Sequence, residues 1–431
     1  MENRMRIAHI SDLHFCMKYL EEVQRCTAYA VNQAIDRVVD IMVISGDATE
    51  CGLDMHSPAA HALLAVVRRL TDHCPVLMLQ GTYSHEPPGT LNVFRHLGGR
   101  YPVYVADSIR QVALVSTADG ARWVESDGWR FDALPINARV IVSCLPAVNK
   151  GAVAAVAGAD EASIAVGRNV AAVLAGFGIS NAIAREHGIP TLGVSHGTVT
   201  GCVTEHGVPM AGLDHEFSTK SLFAAQCSGF ALGHIHCHQE WRDSYRVIAY
   251  PGSIGRLHYG EEGEKGFLIW DMDSNGARLE FIPTPARRML HVEFEGKPDL
   301  AHLQNIAAQA GGAFIRVRWQ IPEEERLQVD RGQIMAILNS CGGAKLEETI
   351  IPTHRARLPG LSEADSVAAK VKLWAISMGI EPDPLVSRLD RLAYVSPEVI
   401  VDQIVDEAVL ATGIIPEHAA ADEPSPLEIQ H

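Results

Sequence analysis

Three short apolar runs near the start of the chain alternate with two longer stretches of helical spacing. Met5–Ile10, Ile41–Ser45 and Pro75–Leu79 are predicted strands, and Tyr19–Val39 and Ala59–Leu70 carry apolar residues three and four positions apart. This order predicts parallel strands with helices on their faces, because parallel strands need a crossover connection. In such sheets functional groups collect at the carboxyl ends of the strands.

The chain is long enough for two or three domains. Further strands are predicted up to Gly266–Asp271, and the run Pro283–Pro285 marks a boundary. Beyond it, alternating runs and one helical stretch predict a small α+β module over residues 285–360. Residues 361–415 are predicted to be helical, and the polar, proline-containing tail 416–431 to be disordered.

The charge balance limits the classes of function. The formal net charge of −16 excludes a highly basic nucleic-acid coat protein, but not an enzyme whose metal site supplies positive charge locally. Residues 285–360 hold ten Lys or Arg and nine Asp or Glu, whereas residues 361–431 hold four and thirteen. The middle segment is therefore the part most suited to face an anionic partner.

Cysteine usage and hydropathy predict the compartment. The nine cysteines are scattered without a CxxC pair, which argues against a disulfide framework and for a reducing cytoplasm. No signal peptide precedes the first predicted strand. The longest uncharged, alanine-rich stretch lies between Arg168 and Arg185 and is too short and too polar to span a bilayer. We therefore expect a cytoplasmic protein with no membrane partner.

Residues with metal-binding chemistry follow the predicted strands. Asp12 and His14, and likewise His234 and His236, are two positions apart, so each pair points the same way in extended chain. Imidazole with carboxylate suits manganese, iron or zinc better than magnesium or calcium. Asp47 stands alone at a strand end, where it is placed to bridge two ions. The remaining strand-end candidates are Ser84, His85, Glu86 and His196.

Any one of these pairs is a weak signal in a chain with 20 histidines. Five motifs in order, each after a predicted strand, are a strong one. A two-metal site of this composition clamps the attacking and leaving oxygens of a phosphoryl displacement. The sequence therefore predicts a two-metal phosphoesterase.

The motif order resembles the calcineurin-like metallophosphoesterase superfamily, whose pattern is DxH, GD, GNH(D/E), H and GHxH. Two later segments, Tyr250–Ser253 and Glu264–Phe267, together with the opening Arg6–His14, resemble the SbcD-type DNA double-strand-break repair nucleases. The resemblance covers residues 5–275 and extends loosely over 285–360. It implies a four-layer α/β sandwich of mixed sheets flanked by helices, with an α+β cap and C-terminal helices.

The resemblance also implies a role for each motif residue. Asp12, His14 and His236 would hold the first metal, Asp47 would bridge, and His196 and His234 would hold the second. His85 matches the catalytic histidine that contacts the scissile phosphate, and Glu86 is expected to orient it. The cofactor is expected to be two Mn²⁺, with Mg²⁺, Fe²⁺ or Zn²⁺ as the alternatives.

Two positions depart from the family pattern. The family's Gly-Asn-His is replaced by Gly81-Thr82-Tyr83-Ser84-His85, so Ser84 or Thr82 takes the place of the asparagine ligand. Glu50 stands where these nucleases often carry a histidine. We expect Glu50, Arg256 and Tyr83 to contact substrate; Tyr83 is placed to stack on a base, or to pack on its own loop. Candidate phosphate contacts in the cap are Arg287, Arg288, Arg316, Arg318, Arg355 and Arg357, for which solvated strand faces are the alternative.

Three functions stay open at this point. The first is a manganese-dependent DNA nuclease, with 3'–5' exonuclease and single-strand endonuclease activity, in domain 1–284 with a DNA-binding cap at 285–360. The resemblance implies a homodimer whose helices at 361–415 bind an SbcC-type ATPase. The second is a phosphoesterase for a small phosphate ester or cyclic nucleotide. The third is a weakly active scaffold that binds DNA ends.

Overall fold

The computed structural model describes residues 3–147, 159–204, 216–259, 261, 263–352, 358 and 360–412. Arg355, Arg357 and the predicted tail lie outside the described residues. The backbone divides into two units, residues 1–321 with 325–350 and residues 322–324 with 351–431. This division does not test the predicted boundaries at 284, 360 and 415, which stay predictions.

Two large sheets make up most of the first unit. Their strands are, in chain order, β1 (Met5–Ile10), β2 (Ile41–Ile44), β3 (Val76–Leu79), β4 (Val103–Ala106), β5 (Arg110–Thr117), β6 (Gly120–Glu125), β7 (Ala138–Leu145), β8 (Thr191–His196), β11 (Gly229–Gly233), β12 (Gln239–Asp243), β13 (Arg246–Tyr250), β14 (Gly266–Met272) and β15 (Ala277–Pro283). A short pair, β9 (Thr198–Val199) and β10 (Glu216–Phe217), lies apart from them.

The sheets are mixed. Within the described residues, the first has six strands in the order β15-β14-β1-β2-β3-β4, and the second has seven in the order β12-β13-β11-β8-β7-β5-β6. Strands β1 to β4 are parallel, as are β7, β8, β11 and β13. The parallel strands are buried on both faces, which explains their continuous apolar runs.

Helices cover the outer faces of both sheets. The helices of this part of the chain are α1 (Leu20–Asp36), α2 (Pro58–Leu70), α3 (Ala159–Glu186) and α4 (Thr219–Ala224). Side chains such as Ile7 and Val43 of the first sheet pack with Val142 and Val194 of the second, forming the inner core. Separate clusters lie under α1 and α2 and under α3 and α4. The predicted α/β sandwich with helices outside is confirmed.

A small α+β module follows the two sheets. Its strands β16 (Met289–Glu295), β17 (Phe314–Pro322) and β18 (Gly343–Ile351) form a sheet in that order, with helices α5 (Leu300–Gln309) and α6 (Arg331–Leu338). Leu303, Val317 and Ile334 are among the buried residues of its own core. The N-terminus of α5 is capped by Asp299, whose carboxylate accepts hydrogen bonds from the backbone N–H groups of Ala301 and His302.

The second unit contains α7 (Val367–Ser377), α8 (Asp383–Tyr394) and α9 (Pro397–Thr412). Among the described residues, no helix combines the length and the apolar character needed to cross a bilayer.

Candidate metal centre

The loops that follow the parallel strands of both sheets meet at one edge. The N–H of Asp12 donates to the carbonyl of Gly46 at 3.2 Å, and the N–H of His14 donates to that of Asp47 at 2.9 Å. Across the sheets, the N–H of His234 donates to both carboxylate oxygens of Asp12 at 3.1 Å. Residues more than 200 positions apart are therefore fixed relative to one another before any ion binds.

The backbone at this edge is strained. Asp12, His14, Asp47 and His234 have φ angles of 52°, 49°, 49° and 102°, and they are four of the eight non-glycine residues with positive φ in the described part of the chain. Each such residue costs about 1–3 kcal/mol, and strain of this kind clusters at functional sites.

A first group of metal-binding atoms comes from Asp12, His14 and His236, whose donor atoms all lie within 4.8 Å of one another. The Nε2 atoms of the two imidazoles are 3.2 Å apart, and Asp12 Oδ1 lies 3.8 Å from His236 Nε2. All three residues are buried or nearly so. This is the triad expected at the first metal.

Two carboxylates fix the imidazoles of that group from behind. Glu50 Oε2 lies 2.7 Å from His14 Nδ1, and Glu261 Oε1 lies 3.3 Å from His236 Nδ1. A carboxylate accepts the Nδ1 proton, which leaves a lone pair on each Nε2. Two lone pairs facing each other at 3.2 Å repel unless a proton or a metal cation lies between them. The donor set therefore fits a divalent ion held by nitrogen and oxygen.

A second group consists of Asp47, His196 and His234, again with donor atoms within 4.8 Å. The Nδ1 of His196 donates to the carbonyl of Ser45 at 2.8 Å, so its Nε2 faces Asp47 Oδ2 at 3.2 Å. Burial opposes a charge on His196, but the Asp47 carboxylate outweighs burial and raises the pKa of that imidazole to about 10. In the metal-free chain the Asp47 carboxylate therefore favours the protonated form of His196.

Asp47 lies between the two groups. Its carboxylate is also within 4.8 Å of donor atoms of His14 and His85, so it is the member that both halves of the site share. His85 is partly exposed, and its Nδ1 lies 3.1 Å from the carbonyl of Glu50. The positions expected for a bridging carboxylate and for a substrate-facing histidine are thus adjacent.

The asparagine position of the family pattern is filled by Thr82 and not by Ser84. The Thr82 N–H donates to Asp47 Oδ1 at 2.6 Å, and its hydroxyl lies 3.2 Å from both Asp47 Oδ2 and His196 Nε2. Ser84, in the same turn, is exposed. The choice follows from the turn itself, in which the N–H groups of His85 and Glu86 both donate to the Thr82 carbonyl.

Glu86 does not orient His85, contrary to the expectation from the sequence. The turn directs Glu86 into the protein, where its carboxylate accepts hydrogen bonds from the N–H groups of Ala48 and Gly81, each at 2.6 Å. Burial raises the pKa of the Glu86 carboxyl to about 7, and the nearby Asp47 contributes in the same direction. Glu86 instead joins the two loops that carry Asp47 and Thr82.

Two expected substrate contacts have other partners. Glu50 faces inward to His14, and its Oε2 is 3.8 Å from His85 Nδ1, so the contacts that the structure shows are to imidazoles, and its substrate contact stays a prediction. The hydrogen bond from His14 lowers the pKa of Glu50. Arg256 donates through its guanidinium to the carbonyls of Arg287 and Gly263, which ties two loops together. Tyr83 is partly buried in its loop, and its stacking role stays a prediction.

Sequence reasoning did not find Glu261 and Lys265 as part of the centre. Both are buried, and Lys265 Nζ lies 2.9 Å from Glu261 Oε2. Lys265 belongs to the Glu264–Phe267 segment, to which the family resemblance assigns no role. A buried ion pair next to a histidine motif has no periodic signal in a sequence, so this contact required the fold.

Residues 5–134 match the family model of the calcineurin-like phosphoesterases. Over that segment the chain is similar to a calcineurin-like phosphoesterase domain. Such domains use divalent metals, in agreement with the two donor groups that this structure brings together. No curated protein matches the chain.

Several solved structures match the chain at low sequence identity. One is GAP50, described as the anchor in the inner membrane complex of Plasmodium, at 12% identity and a TM-score of 0.43, covering 65% of this chain and 85% of that one. Another is a predicted phosphoesterase from Streptococcus pneumoniae, at 12% identity and a TM-score of 0.25. That match covers 65% of this chain and 90% of the other. A dimetal phosphatase from Danio rerio matches at 11% identity and a TM-score of 0.39. That match covers 64% of this chain and 98% of the other.

Proposed function

We propose that this chain is a manganese-dependent phosphodiesterase that acts on DNA, as a 3'–5' exonuclease and single-strand endonuclease in double-strand-break repair. The observation that carries the choice of substrate is a basic and aromatic cleft on the first unit. The cleft has a volume of about 570 Å³. Its basic members are Lys18, His258, Arg287, Arg316 and Lys345, and its aromatic members are Tyr19, Tyr259 and Phe314.

The composition of the cleft suits a nucleic-acid strand. Phosphates bind Lys and Arg, and unpaired bases stack on aromatic rings. The Arg287 guanidinium stacks on Phe314 at 4.0 Å, and the rings of Tyr259 and Phe314 are 5.9 Å apart. Arg316 and Lys345 share a single carboxylate, that of Glu347, at 2.6 and 2.8 Å. The cleft therefore keeps an excess of positive charge in a chain that is acidic as a whole.

The cleft adjoins the metal centre through His258. The His258 carbonyl accepts the N–H of Glu261 at 3.3 Å, and the Glu261 carboxylate lies 3.3 Å from His236 Nδ1. His258 contacts Tyr19 edge to face at 6.0 Å. A strand held along the cleft therefore has a short path to the ligand groups, whereas a small phosphate ester does not need such a surface.

The chain's own residues divide the work at the centre. Asp12, His14 and His236 would hold one ion, His196 and His234 the other, and Asp47 would bridge. Divalent ions at these positions would clamp the attacking and leaving oxygens and stabilise the charge that develops on phosphorus. His85 engages its Nδ1 with the Glu50 carbonyl, which leaves Nε2 to donate a proton to the leaving oxygen.

The test compares substrates and variants of purified full-length protein with Mn²⁺. We expect hydrolysis of single-stranded DNA, loss of that activity in His85→Gln, and unchanged metal content in the variant. The double change Lys18→Gln with Lys345→Gln should lower DNA cleavage roughly tenfold while hydrolysis of a small aryl phosphodiester changes little. Lys220→Gln, at an exposed lysine outside the cleft, is the matched control.

Other results would contradict the proposal. Faster turnover of a cyclic nucleotide than of DNA, unaffected by the two cleft substitutions, would indicate a phosphoesterase for small substrates. Fewer than two ions per chain at saturating Mn²⁺, with no turnover of any substrate, would indicate a scaffold.

The same proposal includes an SbcC-type ATPase partner and a homodimer. Helices α8 and α9 of the second unit expose large apolar side chains, with Leu392 70% and Tyr394 87% exposed. Exposed apolar surface on this scale supports a protein-binding role. Loss of ATPase binding in Leu392→Asp, with the nuclease activity of the free chain retained, is the expected result; unchanged binding would contradict this part of the proposal.

A further inference from the structure

We infer that Lys265 and Glu261 form a buried brace whose task is to fix the ring orientation and tautomer of His236 toward the bound cation. The inference rests on His236 as a metal ligand, as in the proposed function, but not on DNA as the substrate. It assigns a role to the two sequence segments, Tyr250–Ser253 and Glu264–Phe267, that the metal motifs leave unused.

The ammonium group of Lys265 contacts both the backbone carbonyl of His236 and the carboxylate that faces the His236 imidazole. Its side chain is fully buried, and its Nζ donates to the His236 carbonyl at 2.8 Å, to Glu261 Oε2 at 2.9 Å and to Ser253 Oγ at 2.9 Å. An ammonium has three N–H donors, and all three are used. The amino group is therefore locked in one position relative to the ligand.

Glu261 connects the Lys265 ammonium group to the imidazole of His236. Its side chain is also fully buried; Oε2 accepts the Leu257 N–H at 3.2 Å as well as Lys265, and Oε1 faces His236 Nδ1 at 3.3 Å. A carboxylate fixed in this way takes the Nδ1 proton and leaves the Nε2 lone pair directed at the ion. The tautomer of His236 is thereby set by a group outside the ligand set.

The Tyr250–Ser253 segment closes the brace from the other side. Gly252 has a φ of 83°, and a Cβ at that position would lie 2.9 Å from the His236 carbonyl. The Ser253 N–H donates to the same carbonyl at 3.3 Å, and its hydroxyl oxygen accepts from Lys265. Only glycine lets the chain approach His236 this closely, so the glycine and the serine are both explained by one contact.

The energetics favour positioning over stability as the reason for the pair. Burying two charges has a desolvation penalty that their attraction only partly offsets, and an apolar pair of equal volume often stabilises a protein as much or more. The carboxylate that contacts His14 is held differently. The side chain of Glu50 is 35% exposed, and among the described residues it forms no buried pair with a lysine. The buried pair is thus specific to the His236 side of the centre.

The experiment measures metal binding directly, in the metal-free full-length chain titrated with Mn²⁺ by calorimetry and electron paramagnetic resonance. In Glu261→Gln and Lys265→Met, the affinity of one of the two sites should fall about 10–100-fold while the other is unchanged. Glu264→Gln, at an exposed residue of the same loop, is the matched control. Lys265→Arg, which keeps the charge, should recover part of the affinity.

Ser253→Ala provides a milder test that keeps the ion pair. It removes one acceptor of the ammonium and should lower the affinity of the same site by about threefold to tenfold. Two Mn²⁺ bound with wild-type affinities in the folded Glu261 and Ser253 variants would overturn the brace. A wild-type chain that binds two ions but cleaves no DNA would refute the substrate proposal and leave the brace standing.

Discussion

The buried imidazole of His9 gives a stability prediction whose size follows from the structure. His9 lies in β1 with no exposed surface, and its Nε2 is 2.8 Å from the Ser45 hydroxyl. The Ser45 carbonyl in turn accepts the Nδ1 proton of His196, so His9 supports the residue that orients a ligand. Burial, and then the charge of His238, lower the pKa of His9 from 6.5 to about 3.

The sign of the effect follows from the direction of the shift. Below pH 6.5, the ordinary pKa of a histidine, the His9 imidazole is protonated in the unfolded state but stays neutral in the folded state. The free energy of unfolding therefore falls as the pH falls toward 3. The slope is about 1.4 kcal/mol per pH unit, which gives a loss of about 2 kcal/mol between about pH 7.5 and about pH 5. His9→Gln has no such group and should lack this part of the loss.

The assay is urea unfolding of metal-free protein at both pH values, followed by tryptophan fluorescence, since the rings of His9 and Trp270 are 6.2 Å apart. The stability difference between wild type and His9→Gln should move by about 2 kcal/mol in favour of the variant at the lower pH. His73→Gln, at an exposed histidine, should show no such movement. Equal pH dependence of wild type and His9→Gln would refute the reasoning.

Two further predictions concern the loop after β3. Gly81→Ala should lower the Mn²⁺ affinity measured by calorimetry at least tenfold, because a Cβ there would overlap the Asp47 carboxylate. Gly98→Ala, where a Cβ meets open space, is the control. If Gly81→Ala bound Mn²⁺ as tightly as Gly98→Ala, the packing argument would be contradicted. Thr82→Ala should weaken one Mn²⁺ site by about threefold to tenfold, while Ser84→Ala leaves both affinities unchanged; the reverse order would restore Ser84 as the ligand.

The strands that carry the metal motifs were predictable because they are buried on both faces. Met5–Ile10 has the bounds predicted from the sequence, and Ile41–Ile44 and Val76–Leu79 each differ from the predicted range by one residue at one end. Strands β6 and β12 were not predicted, since as edge strands they alternate with exposed charged residues such as Glu125 and Glu240. Hydrophobic runs report burial, and an edge strand is only half buried.

Strand partners were not predictable from the same runs. The sequence places β13 and β14 next to each other, joined through Pro251–Ser253, but the structure puts β13 in the seven-stranded sheet and β14 antiparallel to β1 in the six-stranded one. The linking segment crosses between sheets and so passes over His236. That crossing creates the brace with Lys265, which explains why a local pattern does not reveal it.

The candidate metal ligands can be recognised from short sequence motifs, whereas the residues that hold those ligands in place cannot. Asp12 and His14 lie two residues apart at a strand end, so their spacing is visible in the sequence, although their φ angles of 52° and 49° are not those of the extended chain that the spacing predicts. Glu50 and Glu261 reach their imidazoles through loops with no period, and Glu86 turns inward because of a single backbone turn. Sequence reasoning therefore finds the atoms that meet an ion more readily than those that orient them.

The positive φ angles at the centre connect the fold to its chemistry. Asp12, His14, Asp47 and His234 together store several kcal/mol of backbone strain, by the order of magnitude for such residues. Their own hydrogen bonds run between the loops rather than within them, as in the bonds of the His234 N–H to Asp12 and of the His14 N–H to the Asp47 carbonyl. The two sheets, through their packed inner core, hold the loops where these bonds can form. The donor atoms therefore converge because the fold places them there, and a bound ion would find the site already assembled.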